Sequence, residues 1–406
     1  KSKVLIDNIT WLYQNGKIDT AVIVAPKGVY RNWQENEIPN HMLDEIDREV
    51  YLWNPQPNKT EKKRLVDGAY SREKLRILLV NVEGFATAKM KNYIQYFVKN
   101  TDFLLAIDES TTIKNPKAKR TKALMSFGSL AKYKRILTGS PVTKSPMDLY
   151  SQCGFMSKDL LGHDSYWSFQ GKYAISRTQR MGSHTFQQIV GYKNLDHLSE
   201  RLHTFSHRVT KSEALDLPPT IYATREVPMT SEQLCGHTMT DDGDLVEFKS
   251  HRTDAMLEVI EEMNGSVIIW SRFRYDILKI KKVLQKVYGS NSVVTFYGDT
   301  SEKDRQIAEQ RLKSGDARFF VANPQTAGRG LTLNTASNVI YYANDFNLES
   351  RIQSEARCHR IGQKNTVLYV DLVAKGTVDE HIVKSLKSKN ELSARSLGEE
   401  VREWLK

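Results

Sequence analysis

Two carboxylates, Asp108 and Glu109, end the apolar run LLAID at 104–108. The carboxyl ends of strands in an α/β sheet open onto the ligand crevice, so a strand that stops on two acids presents them to a bound molecule. In phosphoryl transfer one such carboxylate holds Mg²⁺ through water, and the next orients or deprotonates the attacking water. A plain strand ending in a solvated acidic turn reads the same way. Lys1-Ser2 opens the helical pattern KVLIDNITWLYQNG. A lysine and a hydroxyl at a helix start are the end of a phosphate-binding loop, with lysine on the β/γ-phosphates and the hydroxyl on Mg²⁺. The dipeptide alone is a common one, and it gains meaning from the acid pair downstream.

Further along, Thr326-Ala327-Gly328-Arg329-Gly330-Leu331-Thr332-Leu333 follows the run RFFVAN. Its glycines permit close approach of backbone to phosphate. Arg357 and Arg360 follow, three apart, a spacing that puts both on one helix face. Two guanidiniums aimed together suit a γ-phosphate where charge builds during transfer; a solvated basic helix face has the same spacing. Thr138 and Ser140 in LTGSP are small hydroxyls at a strand end, placed to touch the acid pair and a polymer's phosphate, and also good turn residues. Cys235 with His237 and Cys358 with His359 lack the paired spacing of a zinc site, so no metal other than Mg²⁺ is expected.

Elements of two kinds position these residues. Short apolar runs at 20–26, 76–81, 103–108 and 134–141 alternate with helical patterns in the first half. Runs at 266–271, 293–298, 318–323, 338–344 and 366–373 do so in the second. Near-continuous apolar strands are buried on both faces, as in parallel sheets covered by helices. The spacing predicts a helix over 300–314, begun by Ser301 and Asp304, with Ile307, Ala308 and Leu312 on its inner side. The fold class is therefore α/β, with two lobes whose mainly parallel sheets carry helices on both faces. The boundary is placed near Pro228, giving lobe one at 1–228 and lobe two at 229–406. Between the strand-rich halves, 145–265 is polar and aromatic with weak periodicity. The last thirty or so residues read as amphipathic helices.

Composition narrows the class. The 406 residues suit two or three domains, and no apolar run is long enough for a membrane helix. Three cysteines, few and widely spaced, point to a reducing compartment, the cytoplasm of a bacterium or phage-infected cell, or a nucleus in a eukaryote. A formal charge of +11, spread along the chain, suits a polyanion partner, most commonly nucleic acid.

In order, these motifs resemble the Swi/Snf-like branch of superfamily-two helicases. AVIVAPKGVYRNWQENEI at 21–38, with Trp33, is similar to the family's second motif, and Asp108-Glu109-Ser110-Thr111 to its DEAH-type box. LTGSP, KSEALDLPP, SVIIWSRF, TAGRGLTL and QSEARCHRIGQ complete the set, the last being the most specific. The resemblance implies two RecA-like lobes with ATP between them and DNA crossing both. It implies ATP contacts from Lys1, Ser2, Gly330 and Gln353, Mg²⁺ on Ser2 and Asp108, water positioning by Glu109, and arginine fingers at Arg357 and Arg360. Thr138 and Ser140 would couple the sites. Lys27, Lys114, Ser271, Arg272 and Thr326 would contact DNA with weak sequence preference. Arg329 and Thr332 depart from the family's usual turn, and 233–261 is short for it. Glycines before Lys1 and extra helical sequence in 233–261 are therefore expected in a longer native protein. The lack of remodeller insertions favours a compact bacterial or phage enzyme. A DNA translocase or helicase is the first expectation, and a nucleotide-regulated DNA clamp without turnover is the alternative.

Overall fold

The computed structural model describes residues 1–27, 29–71, 73–182, 184–230, 250–327 and 331–398. The chain divides into two compact units at Ser206/His207, with the end of its last helix, from Arg395, grouped with the first.

In the first unit α1 (Ser2–Gln14) leads into β1 (Thr20–Ala25). Three short helical pieces follow, Tyr30–Asn32, a π-helical turn Trp33–Glu37, and Ile38–His41. Then come β2 (Arg48–Leu52), α2 (Lys59–Tyr70), β3 (Leu75–Asn81), α3 (Ala88–Phe97), β4 (Phe103–Asp108), α4 (Lys119–Gly128) and β5 (Tyr133–Leu137). The five strands run parallel in the order β2-β3-β1-β4-β5. Successive side chains of a strand point to opposite faces, and both faces are covered. Val22, Val24, Leu78, Val80 and Leu105 pack with Leu65, Met90, Ile94, Phe97 and Leu124 of α2, α3 and α4. Ala21, Ile23, Leu79, Leu104 and Ala106 pack with Leu5, Ile6, Ile9 and Leu12 of α1, and with Trp33 and Ile38. The sheet reverses its order around β1, and ligands bind such α/β sheets beyond the strand ends at that point.

The polar, aromatic stretch of weak periodicity forms its own small core. It contains α5 (Asp148–Met156), α6 (Tyr166–Tyr173), a hairpin of β6 (Ala174–Met181) and β7 (His184–Tyr192), and α7 (Leu195–His203). Leu149, Cys153, Phe169, Tyr173, Leu198 and Leu202 meet in that core. The hairpin escapes a sequence reading because it lies exposed along most of both strands, so no apolar/polar alternation marks it.

The second unit opens with a short helix, Lys211–Ala214, then β8 (Thr220–Val227), and continues through α8 (Arg252–Glu261), β9 (Val267–Trp270), α9 (Arg274–Tyr288), β10 (Val293–Phe296), α10 (Glu302–Ser314), β11 (Phe319–Ala322) and β12 (Asn338–Tyr341). It ends with α11 (Leu348–Cys358), β13 (Val367–Ala374) and α12 (Val378–Leu397). All six strands are parallel, in the order β10-β11-β9-β12-β13-β8. Its two cores again take alternate strand residues: Val267 and Ile269 pack with Ile277 and Ile280, while Ile268 and Trp270 pack with Ala308 and Leu312. On α10 the Ser301 side chain accepts the Asp304 N–H at 3.2 Å, and Ile307 faces solvent rather than the core.

Strand β8 moves the boundary. Expected near Pro228, the division falls at Ser206/His207, because β8 pairs with β13 along its whole length, from Thr220↔Val367 to Val227↔Ala374. As an edge strand, largely exposed, it carries too few apolar residues to be read as a strand from sequence. Cys153 and Cys358 are free and buried, and burial pushes both thiols up to about 12, so they are packing residues; Cys235 lies outside the described residues.

Candidate active site

Strand β4 delivers Asp108 as its last residue, and Glu109 follows in the left-handed region at φ 50° and ψ 60°. A non-glycine residue in that conformation is uncommon and costs conformational energy. Here it turns the chain sharply at the strand end, where the sheet reverses its order. The Asp108 carboxylate is buried. It accepts the Trp33 Nε1–H at 3.0 Å and the Glu109 N–H at 2.9 Å. Burial raises its pKa, Lys1 opposes this, the Glu109 charge adds to it, and the two hydrogen bonds oppose it. Lys1 occupies the N-cap position of α1 without a side-chain capping bond, and its Nζ lies 3.0 Å from Glu109 Oε1. Lysine, both acids and the start of a helix thus meet at one point.

The LTGSP segment reaches the same point. A Cβ built on Gly139 would lie 3.9 Å from Lys1 Nζ. Thr138 Oγ1 accepts the Ser140 N–H at 3.1 Å. Ser110 donates its hydroxyl to Gln152 Oε1 at 2.7 Å, and Gln152 donates onward to the carbonyls of Pro141 and Asp148. Asp148 Oδ2 in turn accepts the backbone N–H groups of Thr143 and Lys144 at 3.0 and 2.8 Å. This chain of buried bonds fixes the acid motif against the loop after β5. Gln152 and Asp148 lie on α5 in a segment with no sequence signal, so their role was not legible beforehand. Trp33 was legible as a motif residue, but not as a donor to Asp108.

In the second unit α11 carries Gln353 and Arg357 but ends at Cys358. Arg360 therefore lies beyond the helix, and the shared helix face inferred from the spacing is not the reason the two arginines meet. They converge by hydrogen bonding: Arg357 Nη1 and Arg360 Nη1 donate to the carbonyl of Leu331 at 3.1 and 3.2 Å, and Arg360 also donates to Thr332 Oγ1 at 2.9 Å. Thr332, a departure from the family's usual turn, thus orients Arg360. Gln353 donates to Glu349 at 3.3 Å. Gly330 lies outside the described residues.

The residues assigned to DNA separate into several cases. Lys27 is exposed. Lys114 donates to Thr143 Oγ1 at 2.6 Å, joining the acid motif to the loop that follows β5. Thr326 lies half-buried in the short helix Pro324–Ala327 after β11, its N–H donated to Asn323. Arg272 is partly exposed, lies over the Phe273 ring at 5.1 Å and approaches Asp345 at 3.7 Å. Ser271 corrects the expectation: it is fully buried and donates its hydroxyl to Asp276 at 3.0 Å, so it braces the end of β9 instead of facing a strand.

Helix α11 is anchored by a buried charge network. Arg351 donates to both carboxylate oxygens of Asp371, at 2.5 and 3.0 Å, and to Glu355 at 2.7 Å, with its guanidinium 3.4 Å from the Tyr341 ring centre. Burial opposes its charge, but Asp371 and Glu355 outweigh burial and keep it protonated. Removing one partner leaves a buried charge uncompensated. Asp371→Ala should therefore cost about 3–5 kcal/mol in a denaturant titration, far more than an exposed pair.

Two α/β units of parallel strands, one ending on an acid pair beside a helix-start lysine and the other holding two arginines on one carbonyl, have the fold of the two RecA-like lobes of helicase superfamily two. The SNF2-related domain matches residues 5–288 and the helicase conserved C-terminal domain residues 251–362, and the chain belongs to the SNF2-related family. It is 24% identical to the human DNA annealing helicase and endonuclease ZRANB3 over 93% of this chain and 36% of that protein. It is 23% identical to the uncharacterised ATP-dependent helicase MG018 of Mycoplasma genitalium, over 96% of this chain and 38% of that protein. The chain spans well under half the length of these relatives. The crystal structure of the DUF1998 helicase MrfA bound to DNA and AMPPNP shares the fold at a TM-score of 0.56 and 13% identity, covering 95% of this chain and 49% of that one.

Proposed function

We propose that this chain is the motor of an ATP-dependent DNA translocase that moves along or remodels duplex or branched DNA. The observation that carries the reading is the meeting of Lys1, Asp108 and Glu109 at the end of β4, with Lys1 Nζ 3.0 Å from Glu109. A lysine that neutralises a carboxylate in the free protein is placed to move onto phosphate when nucleotide arrives. The donors fit Mg²⁺. Asp108 is a buried carboxylate, oriented by Trp33 and a backbone N–H, and hard divalent cations take such oxygen ligands. Asp108 and the Ser2 hydroxyl would hold the ion, which supplies charge neutralisation at the phosphates. Glu109 orients and accepts a proton from the attacking water, and Arg357 and Arg360 face the charge that develops.

ATP is proposed to bind between the lobes and close them, and hydrolysis to reopen them. Alternate gripping of the backbone then gives stepwise movement. The names of the relatives, a DNA annealing helicase among them, and the DNA-bound neighbour support this reading. A clamp without turnover fits less well, because the sequence keeps both acids and both arginines. A cytoplasmic setting in a bacterium or phage-infected cell, or a nuclear one in a eukaryote, is part of the proposal.

The test is ATP hydrolysis by the full-length protein with and without duplex DNA. Turnover should rise on DNA addition, and turnover at the same low level with and without DNA would overturn the reading. DNA affinity should fall steeply with salt, each neutralised phosphate contributing about 0.9 to the log–log slope. Scrambling the duplex should change it little, since the contacts are mostly to phosphate. Titrations at several salt concentrations on two unrelated sequences measure both.

A further inference from the structure

Strands β6 and β7 form a sheet of their own, separate from the five-stranded sheet of the first unit. Only the base of the ribbon is anchored, where Ala174, Ile189 and Tyr192 join a core; most of both strands is exposed. A two-stranded ribbon solvated on both faces is marginal by itself. Its charge is one-sided. From Ser165 to Leu195 the sequence has no Asp or Glu, while Lys172, Arg177, Arg180 and Lys193 are all cationic. In a chain with 48 acids against 59 lysines and arginines, such a stretch is a local positive field.

The two faces differ. Opposite residues of an antiparallel pair share a face. One face holds Thr178 opposite Gln187 and Arg180 opposite Thr185. It is closed on itself: Gln187 donates to Thr178 at 2.7 Å and Arg180 donates to the Gly182 carbonyl at 3.1 Å. The other face holds Arg177 opposite Gln188, Gln179 opposite Phe186, and Met181 opposite His184. There Phe186 is 44% and Met181 75% exposed, and no hydrogen bond or ion pair among the described residues engages Arg177. A cation diagonal to an exposed aromatic ring, flanked by amides, is the arrangement that holds a phosphate and stacks a base. Duplex DNA keeps its bases stacked inside, so the ring is matched to unpaired bases.

We propose that the Arg177–Phe186 face of this hairpin is a second DNA site, which binds an unpaired strand. This rests on the DNA-motor reading and adds to it a contact for the single-stranded arm of a branched substrate. The test uses the full-length protein and fluorescence anisotropy on a labelled oligothymidylate and a blunt duplex. Phe186→Ala should weaken oligothymidylate binding at least about fivefold through lost stacking. Arg177→Ala should weaken it too, and lower its log–log salt slope by about 0.7, one phosphate's share on a single strand. Arg180→Ala, on the self-closed face, should change it less than twofold, and blunt-duplex affinity should stay within twofold in all three. The positions are exposed, so thermal melting should not change. Unaltered oligothymidylate binding by Phe186→Ala, or equal losses across both faces and both DNAs, overturns the proposal. Failure of the motor reading is separately visible, as wild-type ATP hydrolysis that DNA does not stimulate.

Discussion

Arg360→Ala should lose about 10³–10⁵-fold in ATP turnover while nucleotide affinity changes by less than about tenfold. The reason is where its charge is used. Arg357 and Arg360 are oriented by the neutral carbonyl of Leu331 and, for Arg360, by the Thr332 hydroxyl, and no ion pair among the described residues engages Arg360. A guanidinium held this way contributes most when negative charge builds on the transferring phosphoryl group, and little to ground-state binding, which in the proposed site rests mainly on Lys1 and Asp108. Arg360→Lys should not rescue turnover. One ammonium lacks the planar fork that bonds Leu331 and Thr332 while still facing phosphate. DNA binding without nucleotide should survive both changes. Steady-state hydrolysis at saturating duplex, set beside binding of a fluorescent nucleotide, separates the two effects. Normal turnover by Arg360→Ala would remove the second unit from the chemistry.

Glu109→Gln should lower hydrolysis by about 10²–10⁴-fold with nucleotide still bound, because an amide cannot take the proton of the attacking water. Asp108, the proposed metal ligand, is untouched and keeps its bonds from Trp33 and the backbone. Stability should barely move. The Lys1–Glu109 pair is partly exposed, such pairs contribute about 0–1 kcal/mol, and glutamine still offers Lys1 an oxygen. The left-handed backbone at residue 109 suits Gln as well as it suits Glu. A single-turnover experiment with preformed enzyme–nucleotide complex isolates the chemical step, and equal rates in mutant and wild type would remove Glu109 from it.

Much of this was decided by sequence alone. Buried strands must be nearly all apolar, so eight of them, including the one that ends on Asp108-Glu109, could be located from runs of β-branched and aliphatic residues, and the half-buried edge strand β5 was located with them. A strand end of that kind places its last residues at the ligand crevice, so the acid pair could be assigned before any coordinates. Local patterns failed where burial did not constrain them. The half-buried edge strand β2, the largely exposed edge strand β8 and the hairpin carry polar residues on both faces, and with β8 unseen the boundary was set some twenty residues late. Tertiary structure alone decided what spacing cannot encode. Trp33 reaches Asp108 across 75 positions of sequence, and Gln152 reaches Ser110 across 42. Arg360 is aimed by a carbonyl and a hydroxyl from another segment rather than by its helix. Ser271, polar and placed after a motif strand, is buried by the residues around it. Each outcome depends on which distant groups the packed core brings within hydrogen-bond reach, and directional bonds of that kind leave no periodic trace in the chain.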